Sequence, residues 1–381
     1  MNIVLGSHYF HPHIGGIESV VESHAKRLAD RGHDVTVITT DVGAESLGSQ
    51  RNGYNISRYP AWNPVEQFGA PYPIPSPVSA KSRIRNVIEQ EERDVIHAHG
   101  MNYLTTSLLL KNAPLHTPVI LHQHTPFVEY PFPANIVEMI NDRTVGKWNL
   151  SQADKVYYVS RNIGTYIESI STEVNSELMT NGVDTDKFRP NRTESGDGIG
   201  MDSVDPVFFA LSRLSQKKGI DVLLDAARKL DQQSTELQIV VAGDGPMRNN
   251  VKAATRNIDI LKYRGRISDE KLPRYYSAAD GFIFTSKSGE AFPTLTMMEA
   301  YASGTPVISS KLTDDPVGIK DGENSVLVKP DDSDELAQAI AKLAEDRDQL
   351  QSMSKQARET AVRYFSLEDR IDRLEKCYSS M

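Results

Sequence analysis

Residues 1–41 read MNIVLGSHYFHPHIGGIESVVESHAKRLADRGHDVTVITTD, and their apolar positions change period twice. The run MNIVLGS predicts a short buried strand, and the residues from Gly16 to Gly32 have the apolar spacing of an amphipathic helix. HDVTVITTD then predicts a second strand. A strand, a helix and a strand in this order are typical of a parallel sheet that helices cover on both faces.

The same alternation continues through DVIHAHG, PVILHQHT and KVYYVS and stops at the polar stretch NRTESGDGIGMDSVD. It restarts with PVFFALSRL and runs through LQIVVAGDGP, DGFIFTS and NSVLVKP. The pattern predicts an α/β protein of two Rossmann-like, doubly wound domains that face a central cleft, with ligands outside the carboxyl ends of the strands. The expected divisions are an N-terminal domain at 1–190, a linker or exposed loop at 191–205, a C-terminal domain at 206–365 and a final helix at 366–381.

Composition narrows the class of protein. The chain has 381 residues, 39% of them hydrophobic, and a formal net charge of −9, which argues against a nucleic-acid partner. No apolar run reaches the roughly 18 residues of a membrane span, and MNIVLGSHYF lacks the pattern of a secretory signal. Cys377 is the single cysteine, so no intrachain disulfide and no cysteine-based metal site is expected. These features favour the cytoplasm, with peripheral membrane contact as an open alternative.

Two glycine motifs and one pair of cations lie where strands are predicted to end. Gly15 and Gly16 precede the first helix, and GDGP at 243–246 begins with Gly243; such glycines let backbone N–H groups approach a phosphate, although simple turns explain them equally well. SRLSQKKG places Arg213 after a strand and Lys218 before a helix. Two cations at this place suit a diphosphate, and a solvated basic turn is the alternative.

Half of the ten histidines lie at or near predicted strand ends. One of them, His124 in LHQHTPF, follows the fourth strand of the first domain, where a side chain can face the cleft. Carboxylates at metal-ligand spacing are missing near these histidines, so the sequence predicts no metal site. The five are His8, His97, His99, His122 and His124.

The stretch SGEAFPTLTMMEAYASG, residues 288–304, contains two carboxylates around a Phe-Pro pair. With Pro293 as the first helical residue, Leu295, Met298 and Ala302 fall on one apolar stripe, and Glu299 belongs to the same stripe. A carboxylate on an apolar face is costly unless something binds it. The pattern therefore predicts a binding partner for Glu299.

In order along the chain, HPHIGGIESVVESHAKRLADRG, DVIHAHG, NGVDTDKFRP, SRLSQKKGID, VVAGDGP, GEAFPTLTMMEAYASGTPVI and DGENSVLVKPDD resemble the family 4 retaining glycosyltransferases, which have the GT-B fold. The resemblance covers nearly the whole chain. It implies transfer of a sugar from a nucleoside diphosphate sugar to a hydroxyl of a glycan, lipid-linked or small-molecule acceptor. It also implies a nucleotide-sugar co-substrate with no other cofactor and no metal, and a C-terminal helix that crosses back to the first domain.

The resemblance assigns roles to individual residues. Arg213 and Lys218 match the pair that neutralises the departing diphosphate, His124 the histidine near the reacting sugar, and Glu290 the carboxylate that contacts sugar hydroxyls. Glu299 matches the residue that holds the ribose hydroxyls. The implied donor-binding set is Gly15, Gly16, Gly243, Arg266, Ile267, Phe292, Pro293, Thr294 and Glu299.

One departure concerns the spacing of the two glutamates. The family separates them by seven residues, whereas eight lie between Glu290 and Glu299. An extra residue inside a helix would rotate all later side chains by about 100°, so we expect it in the turn at Phe292 to Thr294. Val317 also stands where many members have Glu.

Several alternatives stay open from the sequence. The segment FVEYPFPANIVEMINDRTVGKWNL, at 127–150, is a candidate acceptor wall or a helix that packs into the core. A nucleotide-sugar epimerase or hydrolase, or a non-catalytic partner subunit, fits the same fold. The donor base and sugar, the acceptor and the oligomeric state are left open.

Overall fold

A computed structural model of the chain describes residues 1–13, 15–42, 49–64, 72–89, 92–127, 134–191, 199, 201 and 206–381. The described residues form two compact units. Unit 1 comprises Met1–Asn181 together with Asp369–Met381, and unit 2 comprises Gly182–Glu368.

The first strand–helix–strand of unit 1 follows the sequence pattern. Strand β1 is Asn2–Gly6, helix α1 is Gly16–Asp30 and strand β2 is Asp34–Thr40, and the two strands pair in parallel. Helix α1 buries Val20, Val21 and Leu28 against the sheet, as its periodicity predicts.

In the described part of unit 1, the main sheet has the strand order β10-β9-β8-β7-β1-β2-β4-β3, and all neighbours are parallel except β3 and β4. Every residue of β7 and β8 is buried, as in a sheet covered on both faces. The further strands are β3 Gln50–Arg51, β4 Tyr54–Tyr59, β5 Ala61–Trp62, β6 Ile74–Pro75, β7 Val95–His99, β8 Val119–Gln123, β9 Lys155–Tyr158 and β10 Ser176–Leu178. The further helices are α2 Pro77–Glu89, α3 Leu104–Asn112, α4 Ala134–Asn141, a π-helical turn Asp142–Gly146, α5 Lys147–Gln152 and α6 Arg161–Ile170.

Unit 2 has its own parallel sheet, which among the described residues has six strands in the order β13-β12-β11-β14-β15-β16. Alternate residues of the central strand β11 enter two separate cores: Phe208 packs on one face of the sheet and Phe209 on the other. The strands are β11 Val207–Leu211, β12 Gln238–Ala242, β13 Leu261–Gly265, β14 Gly281–Phe284, β15 Val307–Ser310 and β16 Ser325–Val328. The helices are a 3₁₀ turn Gln216–Lys218, α7 Ile220–Gln232, α8 Arg248–Ala254, α9 Leu272–Ala278, α10 Leu295–Ala302, α11 Ser333–Glu345 and α12 Arg347–Tyr364.

Residues 182–190, which the sequence pattern places in the first domain, lie in unit 2. The guanidinium of Arg358 donates hydrogen bonds to the carbonyls of Thr185 and Phe188, and Val183 N donates to Phe365 O at 2.7 Å. Backbone groups of this segment are therefore satisfied by unit 2. Most of the expected linker, namely 192–198, 200 and 202–205, lies outside the described residues.

The last helix, α13, spans Leu367–Ser380 and continues from unit 2 into unit 1. Arg31, at the end of α1, donates to the carboxylates of Asp372 and Glu375, each at 2.5 Å. His33 Nε2 lies 2.6 Å from Glu375 Oε1. These contacts attach the helix to unit 1. Among the described residues, no helix is both long and apolar enough to cross a lipid bilayer.

Gly243 lies where unit 2 has no room for a side chain. Its φ is 125°, and a Cβ at this position would lie 1.9 Å from the carbonyl oxygen of Ser212, whereas Gly322 has φ 74° with open space around it. We expect Gly322→Ala to cost about 1–2 kcal/mol through backbone strain alone, and Gly243→Ala to cost at least about 2 kcal/mol more. Calorimetric unfolding of both variants measures the difference; equal losses would contradict the predicted clash.

Candidate functional site

The loops after strands β11 and β14 lie side by side because these strands are parallel neighbours in the sheet of unit 2. Thr285 Oγ1 donates to the carbonyl oxygen of Lys218 at 2.8 Å, and Lys287 N donates to that of Lys217 at 2.9 Å. Gly219, with φ 65°, allows this approach, since a Cβ there would lie 2.0 Å from the carbonyl oxygen of Thr285. The Gly of SRLSQKKG is therefore required by the contact between the two loops.

The structure brings together two predicted site residues, Lys218 and Glu290. Lys218 Nζ lies 2.5 Å from Glu290 Oε1, and Ser286 Oγ donates to the same oxygen at 3.3 Å. Both charged side chains keep some exposure, 24% for Lys218 and 17% for Glu290. The pair is thus fixed in place and still reachable by a polar ligand.

Arg213 follows strand β11 and is exposed. It forms no ion pair with any residue in the described ranges. Arg213 and Lys218 both follow strand β11, but among the described residues they do not share a carboxylate partner.

The start of helix α10 differs from the prediction. Pro293 was expected as the first helical residue, but the helix begins at Leu295 and Thr294 is its N-cap. Thr294 has extended backbone angles, and its Oγ1 accepts a hydrogen bond from Met297 N at 3.4 Å. The hydroxyl of Thr294 explains the later start of the helix. It accepts a hydrogen bond from Met297 N–H, one of the N–H groups at a helix start that have no carbonyl partner within the helix. The peptide bond between Phe292 and Pro293 is cis.

The eight residues between Glu290 and Glu299 divide into four before the helix and four within it. Helix α10 is continuous over Leu295–Ala302, and the place of the extra residue in the turn at 291–294 stays a prediction. The ring of Phe292 is buried beside Phe284, with centroids 6.2 Å apart. The side chain of Phe292 is therefore part of the core, and a donor contact by the backbone of this turn or by Thr294 stays a prediction.

Glu299 has a partner that the sequence does not indicate. Tyr276, on helix α9, donates its hydroxyl to Glu299 Oε2 at 2.8 Å. Burial raises the pKa of Glu299 to about 7, while the hydrogen bond from Tyr276 and the charge of Lys187 act to lower it. The other carboxylate oxygen accepts no hydrogen bond from a described side chain, so it remains available to a hydroxyl-bearing ligand.

Three further predicted donor-binding residues follow strands β12 and β13, which lie on the other side of β11 from β14. Arg266 and Ile267 directly follow β13; Arg266 is exposed and Ile267 is half-buried against the core. The N–H of Gly243 donates to the carbonyl of Gly265 at 2.8 Å. That N–H group is engaged inside the protein, so a donor contact by Gly243 stays a prediction.

In unit 1, Gly15 is the N-cap of helix α1 and Gly16 its first residue. The helix N-terminus carries the carboxylate of Glu18, which is buried and hydrogen-bonded to His13 Nδ1 at 2.8 Å. Burial is the largest single influence and acts to raise the pKa of Glu18, but the hydrogen bond from His13, the charges of His8 and His13 and a backbone hydrogen bond together lower it. The carboxylate of Glu18 therefore lies at the N-terminus of α1, where the helix dipole favours negative charge. The spacing of Gly15 and Gly16 in the sequence does not predict this. Ile14 lies outside the described residues.

His124 follows strand β8 and is buried. Its Nε2 lies 2.8 Å from His99 Nδ1. Burial lowers the pKa of His124 to about 3. His124 is therefore a neutral imidazole near neutral pH, with one nitrogen that donates a hydrogen bond and one that accepts.

The sequence predicts no metal site because carboxylates are missing near the histidines, and the structure brings three of these histidines together. One nitrogen from each of His97, His99 and His122 lies within 4.8 Å of the others, and all three side chains are buried. Three imidazoles form a ligand set without any carboxylate. His24 of α1, absent from the predicted set, lies beside them.

The described part of the segment 127–150 is divided between surface and core, since Leu150 on α5 is buried. Helix α4 exposes Ile136, Val137, Met139 and Ile140, with relative exposures of 44%, 65%, 42% and 56%, and α5 exposes Trp148. Residues 128–133 lie outside the described residues. The acceptor role of this segment stays a prediction; the apolar side chains of α4 named above are on the surface.

Comparison with known proteins agrees with this architecture. The family described as "Glycosyltransferase Family 4" matches residues 14–187, and "Glycosyl transferases group 1" matches residues 191–360. The chain belongs to the family 4 glycosyltransferases. It is 25% identical over 325 residues to the alpha-monoglucosyldiacylglycerol synthase of Streptococcus pneumoniae, which covers 81% of the chain and 71% of the relative.

A second relative of this glycosyltransferase is the GDP-mannose-dependent alpha-(1-6)-phosphatidylinositol monomannoside mannosyltransferase of Mycolicibacterium smegmatis. It is 25% identical over 362 residues, 90% of the chain and 89% of the relative. Among solved structures, sucrose-phosphate synthase from Thermosynechococcus elongatus superposes with a TM-score of 0.80 at 21% identity, over 100% of the chain and 98% of its own. Anabaena HepE in complex with UDP and glucose gives 0.77 at 20% identity, with 100% of each chain covered. The fold is GT-B.

The raised pKa of Glu299 predicts a pH-dependent stability. Between pH 4.5 and about 7 the folded state keeps a proton that the unfolded state has lost, so the free energy of unfolding falls as pH rises through this range and is level above it. Glu299→Gln retains an acceptor for Tyr276 and removes the charge. We expect the variant to lose this pH dependence and to be more stable than the parent at pH 8 by about 1–3 kcal/mol.

Denaturant unfolding of both proteins at pH 4.5, 6 and 8 measures this effect. Glu335→Gln, at another carboxylate of unit 2, serves as a control, although it removes an N-terminal helix charge in α11. Parallel pH curves for the parent and Glu299→Gln would contradict the prediction.

Proposed function

We propose that this glycosyltransferase transfers a sugar from a nucleoside diphosphate sugar to a hydroxyl of a membrane-associated acceptor, with retention of the anomeric configuration and without a catalytic metal. The observation that carries the proposal is the Lys218–Glu290 pair, which lies with Arg213 at the carboxyl ends of adjacent strands β11 and β14. A cation and a carboxylate fixed side by side suit a ligand that is a diphosphate at one end and a polyol at the other.

The chemistry requires stabilisation of a leaving group. The bond between the anomeric carbon and the diphosphate oxygen breaks, the acceptor oxygen bonds to the same face of that carbon, and the acceptor proton passes to a donor phosphate oxygen. The departing diphosphate gains negative charge, so the cations of Arg213 and Lys218 stabilise the transition state more than the ground state. No enzymic nucleophile is invoked, in contrast to the paired carboxylates of retaining glycosidases.

The remaining predicted residues position the donor. Glu290 accepts hydrogen bonds from sugar hydroxyls, and its contact with Lys218 orients the ammonium towards the diphosphate. Glu299 accepts from the ribose hydroxyls through the oxygen that Tyr276 leaves available. His124, neutral and buried, contributes a hydrogen bond near the sugar rather than a proton transfer. The proposed set also includes donor contacts by the following residues: Gly15, Gly16, Gly243, Arg266, Ile267 and the backbone of Phe292 to Thr294.

A lipid or lipid-linked acceptor is supported by the surface of unit 1. Ile136 and Ile140 lie one turn apart on α4, and two exposed cations follow: Arg143 in the π-helical turn and Lys147 at the start of α5. An apolar row that ends in cations is typical of a helix that lies in the interface of an anionic membrane. The relatives from Streptococcus pneumoniae and Mycolicibacterium smegmatis are named for glycolipid products or substrates.

The donor is tested first by thermal unfolding with UDP, GDP, ADP and their sugars. A donor that binds the folded state raises the melting temperature, and Arg213→Ala should weaken the best ligand by about 10- to 100-fold because a charge-assisted contact is lost. The matched control is Arg228→Ala, on helix α7 of the same unit and 52% exposed. An Arg213→Ala protein that binds as the parent does would remove Arg213 from the site.

The reaction class is tested with the donor alone. We expect slow turnover of the nucleotide sugar without acceptor and rapid turnover when diacylglycerol or phosphatidylinositol lipids are added in vesicles. Rapid and complete conversion to an epimer or to free sugar without acceptor would replace transfer with epimerisation or hydrolysis. Failure to bind any nucleoside diphosphate by calorimetry would favour a non-catalytic partner subunit.

Membrane contact is tested by co-sedimentation with vesicles of phosphatidylcholine, with and without phosphatidylglycerol. We expect binding that increases with the anionic lipid, and Ile136→Asp with Ile140→Asp should reduce it at least about 10-fold, because two apolar side chains are lost from the buried face. Val362→Asp, at another exposed apolar residue (47%) on α12, should leave it unchanged. Equal losses in the two proteins would contradict a specific role for α4.

A further inference from the structure

A group of histidines fills one face of the unit 1 sheet, beneath helix α1. His97 and His99 alternate along strand β7 and so point to the same face, and His122 is the residue opposite His99 on strand β8. His24 reaches the group from α1, with its ring centroid 5.9 Å from that of His99. The three strand histidines are 0–1% exposed.

Each strand histidine has one ring nitrogen held by a neighbour. His97 Nδ1 lies 2.7 Å from the hydroxyl of Tyr378 on helix α13, and His99 Nδ1 lies 2.8 Å from His124 Nε2. His122 Nε2 lies 3.3 Å from the carbonyl oxygen of Met179. Such contacts fix the ring orientations, as the outer neighbours of metal-ligating histidines do.

The other nitrogen of each ring is buried and has no hydrogen-bond partner among the described residues. These atoms are Nε2 of His97, Nε2 of His99 and Nδ1 of His122, and Nδ1 of His24 shares this property. A carbonyl accepts only from an N–H group, so the contact with Met179 places the proton of His122 on Nε2 and leaves a lone pair on Nδ1. Unpaired buried nitrogens are costly, and several in one place require an explanation.

The charge state of the rings suits a cation. Burial lowers the pKa of His97, His99 and His122 well below 6.5, and the mutual repulsion of the rings adds to this effect. All three are therefore neutral imidazoles with a lone pair available. Nitrogen ligands without oxygen disfavour Mg²⁺ and Ca²⁺ and favour zinc.

We propose that His97, His99 and His122 bind a zinc ion within unit 1. Zinc–nitrogen bonds of about 2.0–2.1 Å need each ligand atom to move by at most about 0.7 Å from its place in a triangle with 4.8 Å sides. The ion joins strands β7 and β8, and Tyr378 links His97 to helix α13. Its role is structural, separate from the proposed donor site in unit 2.

The zinc ion also fixes a tautomer at a candidate site residue. With His99 Nε2 on the metal, His99 Nδ1 carries the proton and donates it to His124 Nε2. His124 must then carry its own proton on Nδ1. The metal site thereby sets which hydrogen bond His124 presents to its surroundings.

The test uses the full chain without a histidine tag, purified from zinc-supplemented cells and also refolded with zinc or with a chelator. We expect close to one zinc per chain by mass spectrometry, and a melting temperature at least about 4 °C higher with zinc than with chelator. Refolding with Co²⁺ should give the visible absorption of tetrahedral nitrogen coordination. Less than about 0.1 equivalent of metal in both preparations, with an unchanged melting temperature, overturns the proposal.

Variants assign the ligands. His122→Asn should abolish stoichiometric zinc, whereas His116→Ala, at an exposed histidine of the same unit, should retain it. Because loss of a ligand can prevent folding, Tyr378→Phe supplies a milder change: it keeps the ring and removes the hydroxyl that holds His97. We expect about 10- to 100-fold weaker zinc binding in competition with a chelator. Parent-like affinity in Tyr378→Phe, or loss of zinc in His116→Ala, overturns the assignment.

Discussion

Parallel strand pairing is the constraint on which the rest of this structure depends. Parallel neighbours end at the same edge of a sheet, so the loops that follow them meet however far apart they are in sequence. In unit 2 this pairing joins Lys218 to Glu290 across 72 residues of chain. In unit 1 the register of β7 against β8 sets His99 opposite His122. Both candidate sites are thus products of strand order and register, and the side chains could not meet in another topology.

Buried polar groups show how each unit limits the cost of desolvation. Glu299 has its pKa raised to about 7 by burial and is held by Tyr276. Glu18 is buried as well, yet its pKa is lowered, because His13 and the start of α1 favour the charged form. The strand histidines are also buried, and they are neutral because burial lowers their pKa. A carboxylate that is partly satisfied, and imidazoles with free lone pairs, are the groups through which a ligand gains most on binding.

The sequence predicted much of the fold and only part of the site. Strands at MNIVLGS and HDVTVITTD, the helix between them and the strand ends that carry Arg213 and Lys218 follow from hydrophobic period and from glycines in turns. The predicted start of α10 at Pro293 is wrong, because a proline fits several positions near a helix N-terminus. Thr294 is the N-cap, since its side chain accepts the capping hydrogen bond. Tyr276 and His24 were missed, since contacts at separations of 23 and 73 residues leave no local pattern.

The sequence by itself determined the α/β class, the family resemblance and the residue types near the carboxyl ends of the strands, because these depend on periodicity and on motif order. Only the tertiary structure decided which of those residues meet: Lys218 with Glu290, Tyr276 with Glu299, and three histidines around one point. The physical reason is that local spacing fixes which way a side chain leaves its own strand or helix. Its distance from residues elsewhere in the chain depends on strand order and register, which are set by the packing of the whole unit.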